Sequence, residues 1–117
     1  MRRRTTHVVL LATGFWLICL TARVAHAEDA RPLYDKNCAT CHGPTGKGDG
    51  PAGKILKPPA PDLSTTVKKA SDADLAKIIK EGGKAVGRSA AMPAYGAKLT
   101  DDQIQGLVQL VKGFASK

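Results

Sequence analysis

The longest apolar run of the chain comes first: Val8 to Leu20, 13 residues without a charge. Beyond it the apolar positions thin out and recur at three- and four-residue intervals, which is the spacing of one helix face. Ala30, Leu33, Tyr34, Asn37 and Cys38 fall on one stripe and predict a helix from Asp29 to about Cys41. Pro32 is tolerable there because it lies in the first turn, where its missing N–H has no intrahelical partner to lose. Leu75, Ile78 and Ile79 predict a second helix over Asp72–Glu81, with Ser71 as its N-cap and Gly82-Gly83 as its stop. Thr100-Asp101-Asp102-Gln103 is a capping box. It opens a third helix running to about Phe114, with Ile104, Leu107, Val108 and Val111 turned inward. Between these segments, Gly43 to Gly53 carries five glycines in eleven residues and reads as loop. Lys57-Pro58-Pro59-Ala60-Pro61 reads as a stiff extended connector. Lys84 to Leu99 reads as irregular, centred on Met92-Pro93-Ala94-Tyr95. There is no strand-like alternation and no internal repeat, so the predicted class is all-α.

The first segment is not expected to belong to this domain. Met1-Arg2-Arg3-Arg4 is a basic start, the apolar run comes next, and Ala25-His26-Ala27 is a small-x-small site ahead of Glu28-Asp29. That is the plan of a secretory signal peptide. A spanning helix needs about 20 apolar residues, more than this run supplies, and the charge of Arg23 stands between the run and the cleavage site. Cys19 lacks the small preceding residue of a lipoprotein site, and Arg3-Arg4 lacks the context of a twin-arginine signal. We therefore expect residues 1–27 to be a cleaved signal and residues 28–117 a single exported domain without stable membrane insertion.

Cleavage changes the charge balance. The whole chain carries 18 Lys and Arg against 10 Asp and Glu, a formal charge of +8. Arg2, Arg3, Arg4 and Arg23 would leave with the signal, and none of the acids would, so the domain retains +4. Its basic residues are scattered, only Lys68-Lys69 are adjacent, and no aromatics interleave with them for base stacking. A nucleic-acid partner is not expected; a mild preference for acidic partners is. The domain keeps three aromatics, Tyr34, Tyr95 and Phe114. So small a domain buries little apolar surface and often leans on a staple or cofactor.

Two cysteines remain after cleavage, and an exported pair first suggests a disulfide. Cys38-Ala39-Thr40-Cys41-His42 points elsewhere, because C-x-x-C-H is the attachment signature of haem c. Two thiols three residues apart can add to the two vinyl groups on one edge of a porphyrin, and a histidine directly after the second thiol lies under the iron. A redox dithiol would want a strand before it, and zinc would want four ligands. If haem is present, Met92 is the candidate sixth ligand, being the one methionine besides Met1, while His7 and His26 lie in the expected signal. A vacant position or a lysine are the alternatives. Gly48-x-Gly50-x-x-Gly53 formally fits a dinucleotide fingerprint, and Gly48 to Lys54 fits most of a phosphate loop. Neither has the strand before and helix after that the chemistry requires.

From Asp29 to Phe114 the chain resembles the class I cytochrome c family. The resemblance rests on the Cys38-to-His42 motif, the Met92-Pro93-Ala94-Tyr95 loop and the terminal helix entered through Leu99-Thr100-Asp101-Asp102. The Gly43–Gly50 loop with Pro61-Asp62-Leu63 after it is similar to a bacterial subgroup. The family crosses its first and last helices, with an aromatic four residues before the first cysteine, matched by Tyr34, and often a glycine eight before it. Ala30 stands at the latter position, and Leu110 stands where an aromatic is common. The resemblance implies a helical domain wrapped around one covalent haem held by two thioethers, with His42 and Met92 on the iron and Tyr95 in the cofactor-binding loop. It also implies a proline carbonyl accepting the His42 Nδ1 proton, with Pro61 preferred over Pro51. Arg88 and Lys84 are candidate propionate partners. The implied function is electron transfer between redox proteins by a monomeric, non-enzymatic carrier in the periplasm or another extracytoplasmic compartment. Sec export fits, since haem is attached in this family to unfolded chain after translocation. The competing expectations are a dedicated cytochrome subunit of an oxidoreductase complex and a gas-binding cytochrome with Met92 off the iron.

Overall fold

A computed structural model describes residues 25–116. The apolar run and most of the expected signal segment lie outside the described residues. The elements are α1 (Ala25–Asn37), α2 (Ala39–His42), α3 (Leu63–Thr66), α4 (Asp72–Glu81) and α5 (Asp101–Gly113), with 3₁₀ turns at Gly53–Ile55, Val67–Lys69, Lys84–Val86 and Phe114–Ser116. No strand occurs among the described residues. No described helix is long and apolar enough to cross a membrane.

α5 organises the domain, packing most extensively against α1 and next against α4. Ile104, Leu107, Val108 and Val111, the four inward residues of the sequence pattern, are all buried and meet Ala30 and Tyr34 of α1 in one core. Ala30 is 1% exposed, so the methyl group that replaces the family's glycine is accommodated in this core. Phe114 closes the core edge-on to Tyr34, with ring centroids 5.3 Å apart and planes at 70°. Leu110 is half-buried at the border of the core.

Both predicted caps form. The Ser71 hydroxyl accepts from Asp74 N and the Asp74 carboxylate accepts from Ser71 N, and Thr100 and Gln103 repeat the exchange at α5. Each box satisfies two of the backbone groups a helix start leaves without partners. Thr100→Ala is expected to lower the unfolding free energy of the loaded protein by about 1 kcal/mol, read as a lower denaturant midpoint at unchanged slope. Between α4 and α5, Asp72 accepts from both Lys112 and Gln109, and Lys80 pairs with Asp101 at 2.7 Å.

The structure departs from the expected pattern in three places. The first helix starts earlier, at Ala25, and breaks at Cys38 before α2 resumes it. Pro61-Asp62-Leu63 does not merely continue a connector: the Asp62 carboxylate accepts from Ser64 N and caps α3. The expected straight connector is bent at Lys57 and Pro58, following a 3₁₀ turn at Gly53–Ile55, and irregular from Pro59 to Pro61.

Candidate functional site

The break in the first helix falls inside the Cys38–His42 motif. The regular ladder ends where Cys38 N donates to Tyr34 O, and it resumes with Cys41 N and His42 N both donating to Cys38 O. The carbonyl of Asn37, which would take the Cys41 N–H in an unbroken helix, accepts the phenol of Tyr95 at 2.7 Å. Cys38 takes φ −118° at the break, and α2 ends at Gly43 with φ +78°, a conformation that favours glycine.

The glycine-rich loop folds back on the motif. Ala52 N donates to Thr40 O and Gly48 N to His42 O. A Cβ at Gly53 would stand 2.0 Å from Cys41 O, so the close approach of the two backbones requires glycine there. These glycines accommodate protein backbone, which accounts for the pattern without a phosphate or dinucleotide.

The environments of the motif residues separate the competing chemistries. Cys38 and Cys41 are both free and half-buried. Burial, and then the neighbouring Cys41, push the Cys38 thiol up to about 11. A redox dithiol works through a depressed thiol, and burial acts in the opposite direction at Cys38. His42 is also half-buried, and desolvation lowers its pKa, favouring the neutral imidazole that ligates metals. Its Nδ1 is buried without a hydrogen-bond partner. Among the described residues no group of three or more His, Cys, Asp or Glu side chains could hold a metal ion, which leaves zinc without a ligand set.

Met92 lies half-buried against the core, in a loop carried by the C-terminal end of α4. Gly83 N donates to Met92 O, Tyr95 N to Ile79 O and Gly96 N to Lys80 O. Tyr95 is half-buried, and its phenol is raised by burial first, then by the nearby Cys38 and Cys41. Among the described residues, the Tyr95–Asn37 bond is the one hydrogen bond joining the Met92 loop to the motif segment. The structure thus gathers Cys38, Cys41 and His42 on one short segment and ties the loop bearing Met92 and Tyr95 to the residue before it.

Pro61 is exposed and lies near the His42 segment. A Cβ at Gly48, which donates to His42 O, would stand 3.1 Å from Pro61 O. The expected bond from His42 Nδ1 to the Pro61 carbonyl is nevertheless not formed. The ring's orientation is not fixed by a bond from this nitrogen. Arg88 and Lys84 are both exposed.

One partner was missed from sequence. The Tyr34 hydroxyl, on a fully buried side chain, donates to Gly43 O at 2.7 Å, directly after His42. A tyrosine at a buried helix position was the available signal, since a buried phenol needs an acceptor. Asn37 contributes through its backbone carbonyl, for which residue type gives no signal.

A neutral histidine, two uncommitted thiols and a methionine are soft and borderline donors that fit a covalent haem. The comparisons agree with that fit. Residues 25–111 match the family described as cytochrome c oxidase, cbb3-type, subunit III. The chain is 33% identical over 93 residues to cytochrome c6 of Leptolyngbya boryana, covering 80% of this chain and 98% of that protein. It is 31% identical over 87 residues to the cbb3-type cytochrome c oxidase subunit CcoP of Azospirillum brasilense, covering 74% of this chain but only 28% of that subunit.

Proposed function

This chain belongs to the class I c-type cytochrome family, and from that premise we propose that it is an extracytoplasmic electron carrier holding one covalent haem. The observation that carries the reading is the Tyr95–Asn37 hydrogen bond, which draws the loop of Met92 to the segment of Cys38, Cys41 and His42. Bound haem supplies a one-electron iron couple. Cys38 and Cys41 would each add S–H across a vinyl group, the sulfur bonding to one carbon and the proton going to the other. His42, kept neutral by burial, would donate one ring nitrogen to the iron. Met92 would supply a thioether sulfur to the iron. His/Met ligation raises the reduction potential and leaves no open coordination position, which suits electron transfer and hinders substrate chemistry.

Docking is proposed to involve the loops around the motif. Ile55, 78% exposed, sits in the 3₁₀ turn packed against α2, between exposed Lys54 and Lys57. Lys47, Lys84, Arg88 and Lys98 are exposed in the other loops, as are Ala90, Ala91 and Ala94. A basic surface steers acidic partners, and the effect fades as the Debye length falls to about 8 Å at physiological salt. Stopped-flow measurement against an acidic redox protein is expected to show a bimolecular rate falling steeply with ionic strength, and Lys54→Glu is expected to slow it at unchanged potential. Equal, salt-independent rates with acidic and basic partners would assign docking to apolar contact instead.

A second reading draws on the similarity to the cbb3-type subunits: a dedicated cytochrome subunit of a periplasmic oxidoreductase complex. The chain spans 28% of CcoP, as one module would. Stable co-purification with such a complex favours it over a free carrier.

A further inference from the structure

We propose that Tyr95 is a positioning residue for Met92, holding the methionine loop on the haem-attachment segment through its hydroxyl; this rests on the haem reading above. The loop's other anchors are backbone bonds to α4 and the turn after it, from Tyr95 N to Ile79 O, Gly96 N to Lys80 O and Gly83 N to Met92 O. They fix the loop relative to α4 and leave its distance from the motif unset. Among the described residues, that distance has one hydrogen bond to define it, from the Tyr95 phenol to the Asn37 carbonyl across 58 positions of sequence. The same bond falls on the carbonyl that the Cys41 N–H would reach in an unbroken helix; Cys41 N donates instead to Cys38 O at 3.2 Å. One hydroxyl therefore meets the attachment segment at its helix break and holds there the loop that carries Met92.

Tyr34 supplies an internal comparison. It also donates to a carbonyl flanking the motif, at Gly43, but from within α1, so its bond does not reach the methionine loop. The Gly43 carbonyl also keeps a second donor, Gly46 N at 3.2 Å. Loss of the Tyr34 hydroxyl should weaken the fold without freeing Met92. Loss of the Tyr95 hydroxyl should let the loop swing while the aromatic ring still packs.

The test uses the haem-loaded unmutated protein, Tyr95→Phe and Tyr34→Phe. Intact mass first establishes that each carries covalent haem; an unmutated protein without haem would overturn the haem reading and not the role of Tyr95. Imidazole is then added to the oxidised proteins, and the decay of the sulfur-to-iron band at the red end of the spectrum is monitored. In Tyr95→Phe the band is expected to decay about tenfold faster, the scale set by the net worth of one hydrogen bond. Tyr34→Phe is expected to keep the unmutated decay rate within about twofold while unfolding at lower denaturant. Decay in Tyr95→Phe at the unmutated rate, or equal acceleration in both variants, would overturn the proposal. Should Tyr95→Phe yield too little loaded protein, Tyr95→Leu carries the same expectation, because it keeps an apolar side chain in the half-buried position and has no donor for the Asn37 carbonyl.

Discussion

Met92→Ala is expected to abolish the sulfur-to-iron charge-transfer band, lower the reduction potential and let the reduced protein bind carbon monoxide. Alanine cannot ligate iron, and no second methionine exists in residues 28–117 to replace it. Axial ligands spread haem potentials over about 0.8 V, so the fall should be on the order of 100 mV or more. The fold should survive: Met92 is half-buried at the border of the core, and its truncation costs at most about 2 kcal/mol, the lower end for buried sites. Spectroelectrochemistry and carbon monoxide difference spectra check both parts. An unmutated protein that already binds carbon monoxide rapidly would move Met92 off the iron and favour the gas-binding alternative.

The second large effect concerns the cysteines. Cys38→Ser with Cys41→Ser should give a chain that retains no haem after denaturation and has lost its fixed tertiary structure. The physical reason is size. The core of the described residues is nine side chains, two of them aromatic, bordered by apolar residues that are only half-buried, among them Leu75, Ile78, Met92 and Leu99. Domains of this length are stable by about 5 to 15 kcal/mol in all. A tightly held group contributes about 4 kcal/mol at a thousandfold excess over its dissociation constant, and a covalent one is never released. Near-UV circular dichroism should therefore collapse while part of the helical signal persists. Cys41→Ser alone should leave a single thioether or an empty product.

Much of this was legible in the sequence, because the informative features are local. The three longer helices arise from apolar spacing and cap chemistry, and α4 starts and stops at Asp72 and Glu81, between Ser71 and Gly82. The ligand candidates stand out by residue type and scarcity. The features that were not legible depend on bonds between distant segments. Nothing near Cys38 announces that the helix breaks there, nor that the Asn37 carbonyl takes a hydrogen bond from Tyr95, 58 residues away. The α3 turn was hidden because Leu63-Ser64-Thr65-Thr66 has weak helix propensity, and the Asp62 cap outweighs it. The Pro61 bond was inferred from resemblance, and His42 Nδ1 stands without it.

The haem attachment itself is tested most directly by the intact mass of the purified protein in denaturing solvent. Polypeptide plus one haem is the expected mass, with the colour staying in the protein after acid-acetone treatment. An apoprotein mass, with both Cys38 and Cys41 titrating as free thiols, would contradict it.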